Sequence, residues 1–507
     1  MRLRQCLEGK IPEIVFEEKP EWVDLSHLAW NLAYEHVKAI PGMPQTPYMD
    51  EGFCETEIWI WDTCFMALFS KYAPDIFPGV ESLDNFYKVI HGDARLPMII
   101  PMEEPPSWSG WTKGKPAQLQ VHIADNPPLF AWGEYENAMI SGHRKRIEEI
   151  LLKKQYLQKH YDLWESAKAG TKIPYVRLPF CLEKDSSSLG FRWEGGRSGM
   201  DNTPRGRLQP RQNDERPSRP TLLWLDALAQ QSSAALFIGK CAKLLGKTEL
   251  SEEFFQKNRE LNDILNRHYW SEEDSFYFDI DSTDLSFCKV RTIAAFWTIF
   301  CGAATGERLE KLCKTLSDPN DFGGEIPLVS LSRADDDFSP DGHYWRGGVW
   351  LPTAYMTLKA LDAQGKYELS TALARKILEQ MNRCFRDYSP HSIWEAYSPS
   401  QAAPSLNPRG DLVREDFCGW SALGPISMFI EDIVGIRTID AFSKRIEWIP
   451  PEHVSGKLGI RNLKFGGLTT SMIIENRQCN IESDGNYTLS IAGNEHAIKA
   501  GLQMFKL

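Results

Sequence analysis

The chain has 507 residues, 42% of them hydrophobic and 25% charged, which is the balance of a globular protein and excludes wholesale disorder. A net charge of −12 and a pI near 5.5 exclude the positive field that nonspecific binding to nucleic acid or an anionic membrane needs. The first residues lack the apolar run of a signal peptide, and no stretch approaches about 18 uninterrupted apolar residues, so the sequence as written reads as cytoplasmic, without a membrane partner.

Helical periodicity appears first over 25–40, 56–72 and 81–92. A stretch rich in Pro, Gly and Trp follows at 101–128, and helical patterns resume over 129–142 and 144–169. The longest pattern is TLLWLDALAQQSSAALFIGKCAKLLGK, in which Leu225, Leu228, Ala235, Ile238, Ala242 and Leu245 recur at spacings of 3, 4 or 7. Pro220 precedes it and Gly246 stops it. Further patterns occupy 250–269, 290–303, 305–316, 349–364, 368–387 and 418–434. The 11 cysteines are scattered without a C-x-x-C pair, and Cys64, Cys241 and Cys301 fall in apolar helical runs, so they read as reduced core residues.

Long connections at 101–128, 183–219, 319–347 and 388–416 carry too many tryptophans for disorder, and structureless loops beyond about 12–15 residues are usually functional. After residue 435 the texture changes: Tyr487, Leu489 and Ile491 alternate with Thr488 and Ser490, and Asp484-Gly485 is a hairpin signal. The pattern predicts an all-α domain over 1–434, led in by an N-terminal segment, and a small β-rich appendage over 435–507. Such an array fits a toroid whose inner helices form a barrel, and it fits other α-arrays equally well.

Four loop clusters carry the chemistry: IWIWDTCF (58–65), SGMDNTPR (198–205), HYWRGGVWLP (343–352) and SIWEAYSPS (392–400). Each sets a carboxylate or arginine beside an indole or phenol ring, a combination suited to the apolar faces and hydroxyl rims of sugars. Two carboxylates in such a pocket suffice for glycoside hydrolysis without a cofactor, and Asp201 and Glu395 are the candidate pair. Asp201, in a turn near tryptophans, is placed to stay protonated if burial outweighs the arginines around it. Glu395, beside Trp394 and Tyr397, is placed to activate water. Taken alone, Asp201-Asn202 reads as a helix start or Asx-turn, and Trp59, Trp61 and Phe65 read as core. The 11 histidines show no metal-ligand spacing, and no metal is expected.

In order along the chain, Trp61-Asp62 with Phe65, NPPLFAW (126–132), SGMDNTPR, WLDALAQQ (224–231), YWRGGVW, WEAYSP and FCGWSALGP (417–425) resemble glycoside hydrolase family 63. The mannosylglycerate hydrolase-like branch is nearest, and the trehalases stand further off. The resemblance implies an (α/α)6 barrel, a six-hairpin toroid, and an inverting hydrolase of an α-linked glucoside or mannoside. It places Asp201 on the general acid and Glu395 on the general base. Trp61 and Asp62 fall on positions that hold the sugar in the catalytic subsite, and Arg346 with Trp350 on the substrate-lining motif. Phe65, Asn126, Tyr344, Trp345, Gly347, Trp394, Tyr397 and Trp420 complete the substrate-binding candidates, although Arg346 reads equally as a structural bridge between loops. Arg197, Asn126 and Gly348 stand where the family often has Glu, Gln and Pro, departures that bear on substrate identity.

Residues 186–220 hold seven arginines against four acids, which reads either as a solvated loop with internal ion pairs or as a clamp by Arg197, Arg205 or Arg207 on an anionic aglycone. Trp108 and Trp111 mark 101–128 as a candidate lid. Two rivals remain from the sequence. One is a noncatalytic sugar-binding protein on the same scaffold. The other is a helical cyclase binding Mg-diphosphate through Asp336, Asp337 and Asp341, although Pro340 and Gly342 make that segment a loop.

Overall fold

The computed structural model describes residues 2–39, 43–51, 57–87, 99–101, 127–170, 181–209, 219–453 and 455–506. Among these, six helices close an inner ring: Ile60–Ser70, Phe130–Ser141, Leu225–Leu244, 293–300, Leu351–Ala363 and 421–433, each packed on the next and the last on the first. An inner helix touches neighbours on every side, so it must be apolar all round, and every residue of Ile60–Ser70 is buried. Outer helices need one apolar face. Tyr367–Asp387 buries Ser370, Leu373, Ala374, Ile377, Leu378, Met381 and Cys384 at helical spacing, against Leu351–Ala363 and Gly424–Ile433. Thr248–Ile264 likewise backs Leu225–Leu244, and Pro20–Glu35 backs both 421–433 and Tyr367–Asp387.

Trp132 fills the middle of the ring. Its indole stacks on Tyr355 (ring centroids 5.9 Å, 15° between planes) and meets Phe300 and Phe65 edge-on at 4.7 and 6.0 Å. This is the mostly helical architecture of a six-hairpin toroid with a small β region. No helix among the described residues is long and apolar enough to cross a membrane.

Several helices differ from their sequence patterns for local reasons. The first begins at Pro20, five positions before the periodicity, because proline fits the first helical turn, where its missing N–H costs nothing. The pattern over 144–169 breaks at Gln155, whose left-handed φ of 56° separates a helix ending at Lys153 from Tyr156–Glu165. The β region is larger than one hairpin: it forms a five-stranded and a four-stranded sheet. Glu13–Phe16, in the N-terminal lead-in, pairs antiparallel with Leu458–Phe465 and so joins the five-stranded sheet. Asp484-Gly485 does not turn a hairpin. Gln478–Ser483 before it lies in one sheet and Tyr487–Ile491 after it in the other.

The loops entering the inner helices at their N-termini gather at one end of the ring. Trp59, Trp224, Trp350 and Trp420 each stand immediately before an inner helix.

Candidate active site

Asp201 sits in the turn between a short helix, Gly195–Ser198, and the turn Pro204–Gly206. Gly199 has a left-handed φ of 82°, and a β-carbon there would stand 3.0 Å from the Trp61 indole. Glycine is therefore required on two counts, and it lets Trp61 pack directly on the backbone of the Asp201 loop.

Asn202 staples this loop to the segment 343–346. Its Nδ2 donates to the His343 carbonyl (2.9 Å), its Oδ1 accepts from the Trp345 N–H (2.8 Å), and its carbonyl accepts from Arg346 Nε (3.1 Å). His343 and Tyr344 both take left-handed φ values, 37° and 64°, a strained backbone that persists where its surroundings hold it. Asn202→Leu keeps the branched heavy-atom outline and loses both side-chain bonds. It should lower kcat about 10- to 100-fold through misplacement of Asp201. Steady-state kinetics with a melting curve check this, and a change under twofold would make the staple dispensable.

Tyr344 projects from that strained turn and donates its phenol to Glu395 Oε1 (2.9 Å). Its ring stands edge-on to Trp350 at 4.7 Å, and its carbonyl accepts the Trp350 indole N–H (3.1 Å). Trp345 stacks flat on the same indole at 4.2 Å. Gly347, with φ 147°, lies so close to Ser339 that a β-carbon would come within 2.6 Å of its carbonyl oxygen.

Glu395 is 3% exposed. Its carbonyl accepts from the Trp420 indole (2.9 Å), and the Trp394 carbonyl accepts from Ser421 Oγ (2.7 Å), which pins the segment to the start of an inner helix. Arg414 Nη1 stands 3.2 Å from Glu395 Oε1, and the Arg414 N–H donates to Oε2 at 3.3 Å. Burial raises the Glu395 carboxyl above the usual range, against the Arg414 charge and the Tyr344 bond, which lower it. Asp62, in the first turn of its helix and 6% exposed, is raised further, chiefly by burial and then by the Glu395 charge, with Asp201 adding to it. Asp201, Asp62 and Glu395 thus share one electrostatic neighbourhood. Behind them Glu51, fully buried, is raised by burial and by the charges of Asp62 and Asp50.

Asp201, Tyr344 and Glu395 line one cavity of about 380 Å³, together with Arg409 and Arg414 from the loop before Phe417. Trp61 touches the Asp201 loop from below. Phe65, Trp345, Gly347, Trp350, Trp394, Tyr397 and Trp420 are buried in the structure behind the cavity, where they hold one another and Glu395. Arg346 bridges the two loops, 3.9 Å from Asp337 besides its bond to Asn202. Asn126, Trp108 and Trp111 lie outside the described residues.

Two arginines of the clamp alternative are engaged in internal ion pairs, as the other reading of the segment had it. Arg205, 1% exposed, forks onto Asp226 (2.7 and 2.8 Å) and Asp279 (2.7 and 2.5 Å) and covers the Trp224 ring at 4.4 Å. Arg207 is held by Asp335 (2.6 and 2.8 Å) and by Asp337. Neither guanidinium is aimed at a ligand, and Asp337 of the diphosphate rival is committed to an arginine. Arg414 and Arg409 were not among the sequence candidates; the signal available was their place between WEAYSP and FCGWSALGP.

A helical toroid with separate carboxylates in a cavity built by its loops defines a glycoside hydrolase scaffold. The chain belongs to the mannosylglycerate hydrolase MGH1-like glycoside hydrolase domain family, whose profile matches residues 55–411. An uncharacterized protein of Borreliella burgdorferi is 25% identical over 424 residues, 81% of this chain and 78% of that protein. The mannosyl-oligosaccharide glucosidase of Saccharomyces cerevisiae is 27% identical over 294 residues, 51% of this chain, which spans only 33% of that protein. The GH63 mannosylglycerate hydrolase of Thermus thermophilus, solved in complex with glucose, shares the fold with a TM-score of 0.57 at 18% identity, covering 80% of this chain and 99% of its own. The same Thermus enzyme has also been solved with Tris and D-glycerate.

Proposed function

We propose that this protein hydrolyses an α-glucoside or α-mannoside with inversion, Asp201 acting as general acid and Glu395 as general base. The observation that carries this reading is that both carboxylates face one cavity, with Glu395 fixed by Tyr344 and Arg414 and pinned through its own carbonyl. Asp201 gives its proton to the departing glycosidic oxygen. Glu395 takes a proton from the water that attacks the anomeric carbon from the opposite face, so an α-linked substrate releases a β-sugar. Asp62, with Trp61 beneath the loop, holds the sugar. Arg409 and Arg414 on the same wall favour an anionic aglycone, the class to which the glycerate found in the Thermus enzyme belongs.

An NMR time course on α-glucosides and α-mannosides, with glycerate, disaccharide and neutral aryl aglycones, tests the reading. Initial release of the β-anomer supports it, and initial release of the α-anomer refutes inversion. Binding of sugar without turnover of any of these substrates would return the chain to the noncatalytic reading.

A general base must be ionised, so activity falls as pH drops through the Glu395 pKa. Arg414 lowers that pKa, and Arg414→Met should therefore move the acid limb of kcat/KM to higher pH, by about one unit for a partly exposed cation at this distance. An unmoved limb would mean that another group controls it.

A further inference from the structure

A second cavity, of about 500 Å³, lies at the other end of the barrel, where the inner helices finish. It is not the floor of the catalytic pocket. Its walls include Phe237 and Phe300, which close on Trp132, and Trp132 in turn meets Phe65 beneath Trp61. The aromatic plug separates the two ends.

Most charges around this cavity are matched. Lys71 Nζ stands 2.8 Å from Glu136 and 3.0 Å from Glu431, and Lys359 Nζ stands 3.0 Å from the other Glu431 oxygen. Glu431 also accepts from the phenols of Tyr72 and Tyr355 (2.7 and 2.8 Å). Arg437 is shared by Asp362 and Asp432 (2.9 and 2.6 Å), and Arg259 is paired with Glu252 (2.5 Å). Lys240 is the exception. Its amine lies over the rings of Tyr135 and Phe237, 5.3 and 4.7 Å from their centroids, and no carboxylate among the described residues is within ion-pair distance of it. Lys71 and Lys359 are thus matched by Glu136 and Glu431 in direct contact, whereas among the described residues the Lys240 amine has only ring faces beside it. Burial depresses its amine, and an incoming anion would reverse that cost.

We propose that this basal cavity binds a small organic monoanion, a carboxylate or sulfonate on a flat apolar body. The anionic head sits on Lys240, and the body lies against Phe237, Phe300 and Met139. One cation without a carboxylate in contact favours a single anionic head, and the rings beside it favour an apolar body.

Isothermal titration of the full chain with 2-naphthoate and its neutral isostere 2-naphthamide tests this. Naphthoate should bind at least about 10-fold tighter than the amide, the ratio that one desolvated charge-assisted contact of about 1.4 kcal/mol supplies. Lys240→Met should erase the preference, Lys240→Arg should keep it, and Glu395→Gln, at the opposite end, should leave it unchanged. Lys240→Met removes a half-buried amine with little change in side-chain volume, and a melting curve verifies its fold. Equal binding of the two probes, no binding at millimolar concentration, or an undiminished preference in Lys240→Met would each overturn the proposal. A preference that survives Lys240→Met and grows in Glu395→Gln, which frees Arg414 of its counter-ion, would overturn the proposal and assign the probe to Arg409 and Arg414 instead.

Discussion

Glu395→Gln should lower kcat by about 10³–10⁴ while leaving the melting temperature within a few degrees of wild type. The amide keeps the volume and can still accept from Tyr344 and Arg414, so the pocket survives, but it has no lone pair basic enough to take the proton from water. Asp201→Asn should be comparably damaging on unactivated glycosides, because an amide cannot deliver a proton to the departing oxygen. The two losses differ in their dependence on the leaving group. With a nitrophenyl or fluoride leaving group, departure needs little protonation, so Asp201→Asn should recover about 10²-fold relative to its loss on alkyl glycosides. Glu395→Gln should recover nothing, since the attacking water still lacks its base. Measuring kcat for both variants on paired alkyl and aryl α-glycosides reads the roles directly. The reverse pattern would exchange the acid and base assignments, and more than a tenth of wild-type activity in either variant would remove that residue from the chemistry.

The ring was legible because inner helices must be apolar all round. A segment such as Ile60–Ser70 shows this in its letters, as Tyr367–Asp387 shows its single buried face. Partnership was not legible in the same way. Alternation marked Tyr487–Ile491 as a strand, yet nothing local says that it pairs in parallel with Arg445–Trp448, or that Asp484-Gly485 passes the chain between sheets. The short strand Glu13–Phe16 finds its partner through the Leu458–Phe465 register, a contact some 440 residues distant that no periodicity encodes.

The site divides along the same line. Asp201 and Glu395 stood out as carboxylates among aromatics, and the structure brings both to one cavity. Arg205 and Arg207 stood out as charges, but a sequence shows a charge without its counter-ion. Their partners lie 21, 74 and 128 residues further on, so the letters alone leave a saturated guanidinium and a free one as open alternatives. Arg414 was overlooked for the opposite reason, since one arginine in an otherwise ordinary Leu-Val-Arg-Glu-Asp stretch gives no signal until the loop folds it onto Glu395. Asn202 read as part of a turn, and its function is to fasten that turn to Trp345 and His343.

The engagement of Arg205 leads to the largest stability effect expected in this protein. Its five donors span the Asp201 loop, the first turn of Leu225–Leu244 through Asp226, and the strand Asp279–Asp281 through Asp279. All three groups are at most 2% exposed, so removal of the cation would strand two carboxylates in a low-dielectric interior. Burial already raises the Asp226 carboxyl even with the arginine present, which shows how weakly solvated it is. Arg205→Met preserves much of the packing on Trp224 and should cost about 3–5 kcal/mol, the usual loss when one partner of a buried ion pair is deleted. The mechanism is open to a direct check. If the cost comes from stranded charge, the double variant Arg205→Met/Asp226→Asn should recover about 1–2 kcal/mol of it, because one of the two carboxylates is gone. Asp279 is left in place, since its Oδ1 also accepts the Leu225 N–H (2.8 Å) at the helix start. Denaturant unfolding of the two variants and wild type measures both differences. A single variant within 1 kcal/mol of wild type would show that water reaches the carboxylates, and a double variant no better than the single would assign the loss to packing on Trp224.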